Sequence, residues 1–224
     1  MVCIIPARGG SSRFPGKNVV NFFGRPIIHW VIEAALNTEI FDDVIVSTDD
    51  NDIAAISEDG GATVLGRPPQ LCGDVPEDDV LRYTADFVGA DSICRIYPFA
   101  AFLDDDRIWE GYKHFYRDDV FGVYVWEAVL EVQEYTHNPI RSMRVDRQGR
   151  IVYLSPEDIG MPTQCLEPLY HDAGTYMFCT REALDKPLWE RSIKAVPIDE
   201  MDAQDIDTWQ DYEMAKLKYT WSYL

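Results

Sequence analysis

The sequence has no CxxC pair, no apolar run long enough to span a membrane, no internal repeat and no low-complexity tract. Its five cysteines (Cys3, Cys72, Cys94, Cys165, Cys179) are odd in number and scattered, which argues against a disulfide framework or a zinc ribbon. Several lie in apolar runs, where a thiol behaves as a small hydrophobe. The apolar start meets Pro6-Ala7-Arg8 after five residues, shorter than the apolar centre of a secretory signal, so a cytoplasmic protein is expected. Basic residues are also scarce. Twenty Lys and Arg stand against 39 Asp and Glu, for a formal charge of −19. That mean field repels polyanions, so neither nucleic acid nor an anionic membrane is expected as a partner.

The shortage reverses at one place. No carboxylate precedes Glu33, whereas Arg8, Arg13, Lys17 and Arg25 all fall in that stretch. The segment "IIPARGGSSRFPGKN" (Ile4 to Asn18) follows a run that reads as a buried strand and precedes a helical pattern with Pro26 near its first turn. Short apolar runs then alternate with helical patterns. "DVIVST", "ATVL", "SICRIYP" and "VFGVYVW" (Val120 to Trp126) read as strands, separated by helices with acidic or glycine ends. The rhythm predicts a single α/β domain over 1–224, a three-layer, mostly parallel sheet with helices on both faces. The cationic loop leaves the end of the first strand, on the rim where such sheets bind ligands.

After Ala128 the rhythm changes. Two strands around Asp146-Arg147-Gln148-Gly149 and a proline-containing stretch to Pro168 predict a small β-rich insertion over 129–170 beside the sheet, followed by two more strands and the last helix. Thr208 is placed to cap the last helix.

The cationic loop is neither a P-loop nor a dinucleotide fingerprint. Five residues separate Gly10 from Gly16, Asn18 follows Lys17, and Gly9 and Gly10 are adjacent. The physical requirements of a phosphate cradle are still met. Adjacent glycines let amides converge on an anion, and Arg8, Arg13 and Lys17 supply cations that no carboxylate near in sequence neutralises. A triphosphate site is the expectation, with an ordinary solvated turn as the plainer alternative.

These residues resemble a family. "IIPARGGSSRFPGKN", "VIVSTDD" (Val44 to Asp50), "GRP" (Gly66 to Pro68), "LEPLYHDAGTYMF" (Leu166 to Phe178) and "AQDIDTWQDYEMA" (Ala203 to Ala215) are together similar to the sugar-activating cytidylyltransferases, with the last two closest to the pseudaminic acid branch. The resemblance runs from end to end and implies a nucleotide-diphospho-sugar transferase-like fold. It implies transfer of CMP from CTP to an acidic nine-carbon sugar, release of pyrophosphate, a Mg²⁺ cofactor and a homodimer paired through 129–170. It places CTP on Ala7, Arg8, Gly9, Gly10, Ser11, Ser12, Arg13, Lys17, Asn18 and Arg67, with Arg8, Arg13, Lys17 and Asp207 acting on the reacting phosphates. It places the sugar on Gln164, Tyr170, His171 and Asp172.

Asp205 and Asp207 are the metal candidates. Hard carboxylate oxygens suit Mg²⁺, and residues two apart in an extended segment face one side while Ile206 points inward. Helix-start aspartates are the competing reading for Asp207. Asp49 and Asp50 are candidates to approach the nucleotide ribose or the metal, with a turn after a strand as the plainer reading. Five positions depart from the family pattern. Ser12 stands where lysine is usual, Phe99 and Ala101 replace Thr and Pro, Pro162 replaces an arginine, and Cys165 replaces an aspartate. A glycosyltransferase using "DID" as its metal motif, and a non-catalytic nucleotide-binding protein, stay open at this point.

Overall fold

The structure, a computed structural model, describes residues 1–116 and 126–223. The strand expected over Val120–Trp126 falls almost wholly on residues outside that description. Twelve elements carry the fold. In chain order they are β1 (Val2–Pro6), α1 (Ile27–Asn37), β2 (Val44–Thr48), α2 (Asn51–Asp59), β3 (Thr63–Gly66), α3 (Glu77–Val88), β4 (Ser92–Ile96), α4 (Asp105–Phe115), β5 (Ala128–Glu134), β6 (Tyr170–Thr180), β7 (Ile193–Ile198) and α5 (Trp209–Tyr223). The strands form one seven-stranded sheet in the order β7-β5-β6-β4-β1-β2-β3. Cys3 pairs in parallel with Val44 on one side and Cys94 on the other. Only β6 runs against the rest, with Tyr176 opposite Ile96.

Strand alternation divides β1 between two cores. Cys3 and Ile5 pack with Ile28 and Val31 of α1, Ile53 of α2 and Ile108 and Phe115 of α4. Val2 and Ile4 pack on the opposite face with Leu81 and Ala85 of α3. Helices therefore cover both faces of a mostly parallel sheet, as the rhythm predicts.

Local chemistry sets the ends of the helices. Asp50 caps α2 through Oδ1, which accepts from the amides of Asp52 (2.9 Å) and Ile53 (3.0 Å). α3 carries Glu77, Asp78 and Asp79 in its first turn, suiting the helix dipole, and ends at Gly89 with φ of 68°. At α5, Thr208 Oγ1 accepts from Asp211 N (3.3 Å) while the Asp211 carboxylate accepts from Thr208 N (2.7 Å), a reciprocal capping box.

The insertion is shorter than 129–170. Residues 129–134 are part of β5, hydrogen-bonded to β6 on one side and β7 on the other, and Tyr170 already begins β6. Val129 and Val132 are buried there as core residues. The helical rhythm stops because β5 and β6 are antiparallel and need no crossover helix, not because the sheet has ended. What leaves the sheet is the segment between them. It carries a hairpin pairing Met143–Val145 with Ile151–Tyr153, followed by short 3₁₀ turns.

A third apolar cluster positions the site. Phe14 of the cationic loop, Phe22, Ile27, Phe99 and Phe102 pack against Ile206, Tyr212 and Ala215. Ile206 is 1% exposed, and burying such a side chain contributes roughly 1.5–3 kcal/mol. The C-terminal segment is thereby pinned beside a loop about 190 residues earlier.

Candidate active site

A cavity of about 380 Å³ opens at the carboxyl ends of β1, β3 and β4, the rim expected for ligands of such a sheet. Arg8, Lys17, Asn18 and Arg67 line it, as do Asp205 and Asp207. Lys17 Nζ donates to Ile206 O (3.0 Å) and Asp207 Oδ1 (3.1 Å) and lies 4.2 Å over the Phe99 ring. Phe99, a departure from the family pattern, thus forms a floor under the lysine and stacks on Tyr97. Asn18 Nδ2 donates to Arg8 O (2.9 Å), while its Oδ1 is buried with no hydrogen-bond partner. Arg67 donates from Nε and Nη2 to Ser47 O, and burial draws its pKa down against the pull of Asp49.

The charge isolation of the loop in sequence is not isolation in space. Asp207 pairs with Arg13 (2.7 Å) and Lys17 (3.1 Å), and Asp74 pairs with Arg8 (2.8 Å). Asp49 accepts from the amides of Gly9 (2.9 Å) and Gly73 (3.2 Å), so the Gly9 amide is already engaged. Folding returns three carboxylates that the local sequence withholds, because the loop faces the ends of other strands and the start of α5.

The remaining loop positions are distributed unevenly. Ala7 is fully buried and donates its amide to Ser47 O (2.9 Å). Gly10, Ser11, Ser12 and Arg13 sit on the outer crest, and with Ala7 and Gly9 they lie outside the cavity lining. Of the residues expected at a sugar, only Asp172 lines this cavity. Tyr170 lies two residues, about 6.6 Å, further along β6 and borders a separate cavity with Tyr135 and Glu200. His171 turns its ring towards Tyr135 (4.8 Å between centroids), with Nδ1 2.8 Å from Asp172 O. Gln164 is on the exposed turn Thr163–Cys165. The "HD" pair is divided because adjacent strand residues face opposite ways.

Asp205 and Asp207 both line the cavity, while Ile206 between them is buried. Asp205 is reachable by water yet enclosed by the concave wall. Burial and the neighbouring Asp207 charge raise its pKa, with Lys17 opposing. Burial acts likewise on Asp207, but Lys17 and Arg13 outweigh it and hold that carboxyl low. Two hard, mutually repelling carboxylates form a donor set that fits Mg²⁺ completed by substrate oxygens and water. Among the described residues no group of three or more His, Cys, Asp or Glu is placed to hold a metal. Any ion here would draw on those outside oxygens.

Sequence reasoning missed Glu77 and Arg95. Arg95 is buried on β4, with Nε 3.3 Å from Glu77 Oε1 and Nη2 3.4 Å from Asp172 Oδ2. The available signal was an arginine inside the apolar strand "SICRI", a position charged residues rarely occupy unless paired.

Fold and rim together define an α/β protein whose candidate site lies at the carboxyl ends of its parallel strands. The fold is shared with CMP:2-keto-3-deoxy-manno-octonic acid synthetase solved with CTP, at TM-score 0.73 and 19% identity over 98% of both chains. The cytidylyltransferase family profile matches residues 2–105. Pseudaminic acid cytidylyltransferase of Campylobacter jejuni is 31% identical over 97% of this chain and 95% of its own. N-acylneuraminate cytidylyltransferase of Streptococcus agalactiae is 26% identical over 94% of this chain and 51% of its own. The chain belongs to the cytidylyltransferase family. It is an enzyme of nucleotidyl transfer, which removes the glycosyltransferase and non-catalytic alternatives.

Proposed function

We propose that the enzyme transfers CMP from CTP to an acidic nine-carbon sugar of the pseudaminic type, releasing pyrophosphate with Mg²⁺ bound. The observation that carries this reading is the single cavity in which the cations of one loop oppose the carboxylates of a distant segment. The similarity to pseudaminic acid cytidylyltransferases over nearly the whole chain supports the choice of sugar.

Both substrates are anionic, so catalysis is mainly neutralisation and positioning. Arg8, Lys17 and Arg13 exchange their carboxylate partners for triphosphate oxygens as CTP binds. The buried Oδ1 of Asn18 suits a donor such as the cytosine amino group, and Arg67 lines the same cavity. Asp205 and Asp207 would hold the metal, which supplies charge neutralisation beside the reacting phosphate. Tyr97 and Phe99 wall the cavity and limit water around the attacking anomeric hydroxyl.

A homodimer paired through the excursion and a cytoplasmic location complete the reading. Val145, Ile151 and Leu154 on the hairpin are exposed apolar side chains that a partner would cover. All five cysteines are free thiols, as a reducing compartment requires. Light scattering of the purified chain tests the dimer. The activity is tested by phosphate detection after pyrophosphatase, with CTP, Mg²⁺ and a panel of pseudaminic, neuraminic and octulosonic acids. Release of pyrophosphate with pseudaminic acid is expected, and release with none of the panel would overturn the reading.

A further inference from the structure

The inner wall of the cavity carries charges outside the cationic loop and the Asp205–Asp207 segment. Arg95 is 2% exposed and shares its face of β4 with Ile93, which packs among Ile4 and Leu81. Its guanidinium contacts Glu77 and Asp172, stacks 3.8 Å from the Tyr97 ring centre, and leaves Nη1 buried with no hydrogen-bond partner. A buried ion pair stabilises a fold little more than an aliphatic residue of the same size. An unpaired buried N–H makes it less favourable still. Stability therefore does not account for an arginine here.

Its two partners do face the cavity. Glu77 is the first residue of α3, so the helix fixes where its carboxylate starts. Asp172 sits where the β5–β6 register shifts, and its Oδ1 accepts from the amide of Gly174 (2.8 Å), a glycine at φ of 71°. Two carboxylates on one wall would repel each other and turn away without the cation between them. With Arg95 in place they stay directed inward.

We propose that Arg95 is a positioning residue that holds Glu77 and Asp172 as paired acceptors for the hydroxyl and amide N–H groups of the sugar. The wall carries two negative charges and one positive. It therefore turns the sugar's own carboxylate towards the Arg8 and Lys17 side. Each carboxylate oxygen accepts more than one hydrogen bond, so contact with Arg95 leaves capacity for substrate. Glu77 and Asp172, held by Arg95, thus read the sugar, whereas the cationic loop reads the triphosphate. This inference rests on the acidic-sugar reading given above.

Steady-state kinetics with pseudaminic acid and CTP test it on the full chain. Glu77→Gln should raise KM for the sugar about ten-fold or more and leave KM for CTP within two-fold. Arg95→Met should lower kcat/KM for the sugar at least as far, with the CTP-induced thermal shift unchanged, and Arg95→Lys should recover part of the loss. A sugar KM unchanged in Glu77→Gln, or a CTP KM that rises in step with it, would overturn the inference while wild-type activity upholds the wider reading. A wild-type enzyme inactive on every acidic sugar overturns both. If Arg95→Met fails to fold, the Glu77→Gln and Arg95→Lys kinetics decide alone.

Discussion

Two adjacent glycines in the cationic loop should respond oppositely to the same substitution. A Cβ added at Gly9 would lie 2.4 Å from Asp50 Oδ2 and 2.8 Å from Asp50 Cβ, closer than non-bonded atoms approach. Asp50 cannot yield without loss, because its other oxygen caps α2 and its amide bonds Thr48 Oγ1 at 3.1 Å. Overpacking of this kind costs about 1–3 kcal/mol, and displacing the cap costs about 1 kcal/mol. Moving Asp50 relieves the first cost by incurring the second, so Gly9→Ala should destabilise the protein by about 2 kcal/mol. That corresponds to a fall in Tm of roughly 4–8 °C for a domain of this size.

A Cβ at Gly10 meets nothing within 4 Å. Gly10→Ala should leave Tm unchanged or raise it slightly, through reduced freedom of the unfolded chain. Its effect should instead be a raised KM for CTP, because the crest is where a triphosphate would approach the backbone. Urea denaturation of the two variants without ligand measures the difference. Equal midpoints for Gly9→Ala and wild type would refute the packing argument, and a large loss in Gly10→Ala would refute the assignment of that crest as open.

Three other outcomes are expected. Asp74→Asn should lower KM for CTP about two- to five-fold, since it removes an exposed competitor for Arg8 whose pairing is worth at most about 1 kcal/mol; titration of CTP binding checks it. Asp207→Asn should reduce turnover by about two orders of magnitude while leaving Tm nearly unchanged, because Ile206 still anchors the segment; single-turnover kinetics and a thermal melt read the two effects. Burial acts to raise the pKa of Asp49, but the amides of Gly9 and Gly73 and the charge of Arg67 outweigh it and hold the carboxyl below its ordinary value. A depressed folded pKa makes the ionised form stabilising above the unfolded value of about 3.9, and that contribution is lost as pH falls through the lower folded value. Asp49→Asn should therefore flatten the acid limb of a stability-against-pH curve.

By itself the sequence determined the layered α/β architecture, because period-2 and period-3.6 apolar patterns are local and each strand needs a covered face. It also determined the cationic character of the loop, the alternation that buries Ile206 between Asp205 and Asp207, and the capping by Thr208. All of these are relations between residues close in the chain. Only the tertiary structure decided which charges meet. Asp207 reaches Lys17 from 190 residues away, Asp74 reaches Arg8 from 66, and Asp172 reaches Arg95 from 77. It also separated Asp172 from Tyr170 and His171, and it returned residues 129–134 to the sheet. Coulomb interactions depend on distance in space, and the order of strands in a sheet is a global property that no local pattern encodes. A loop without a carboxylate near it in sequence could therefore fold into a site bounded by several.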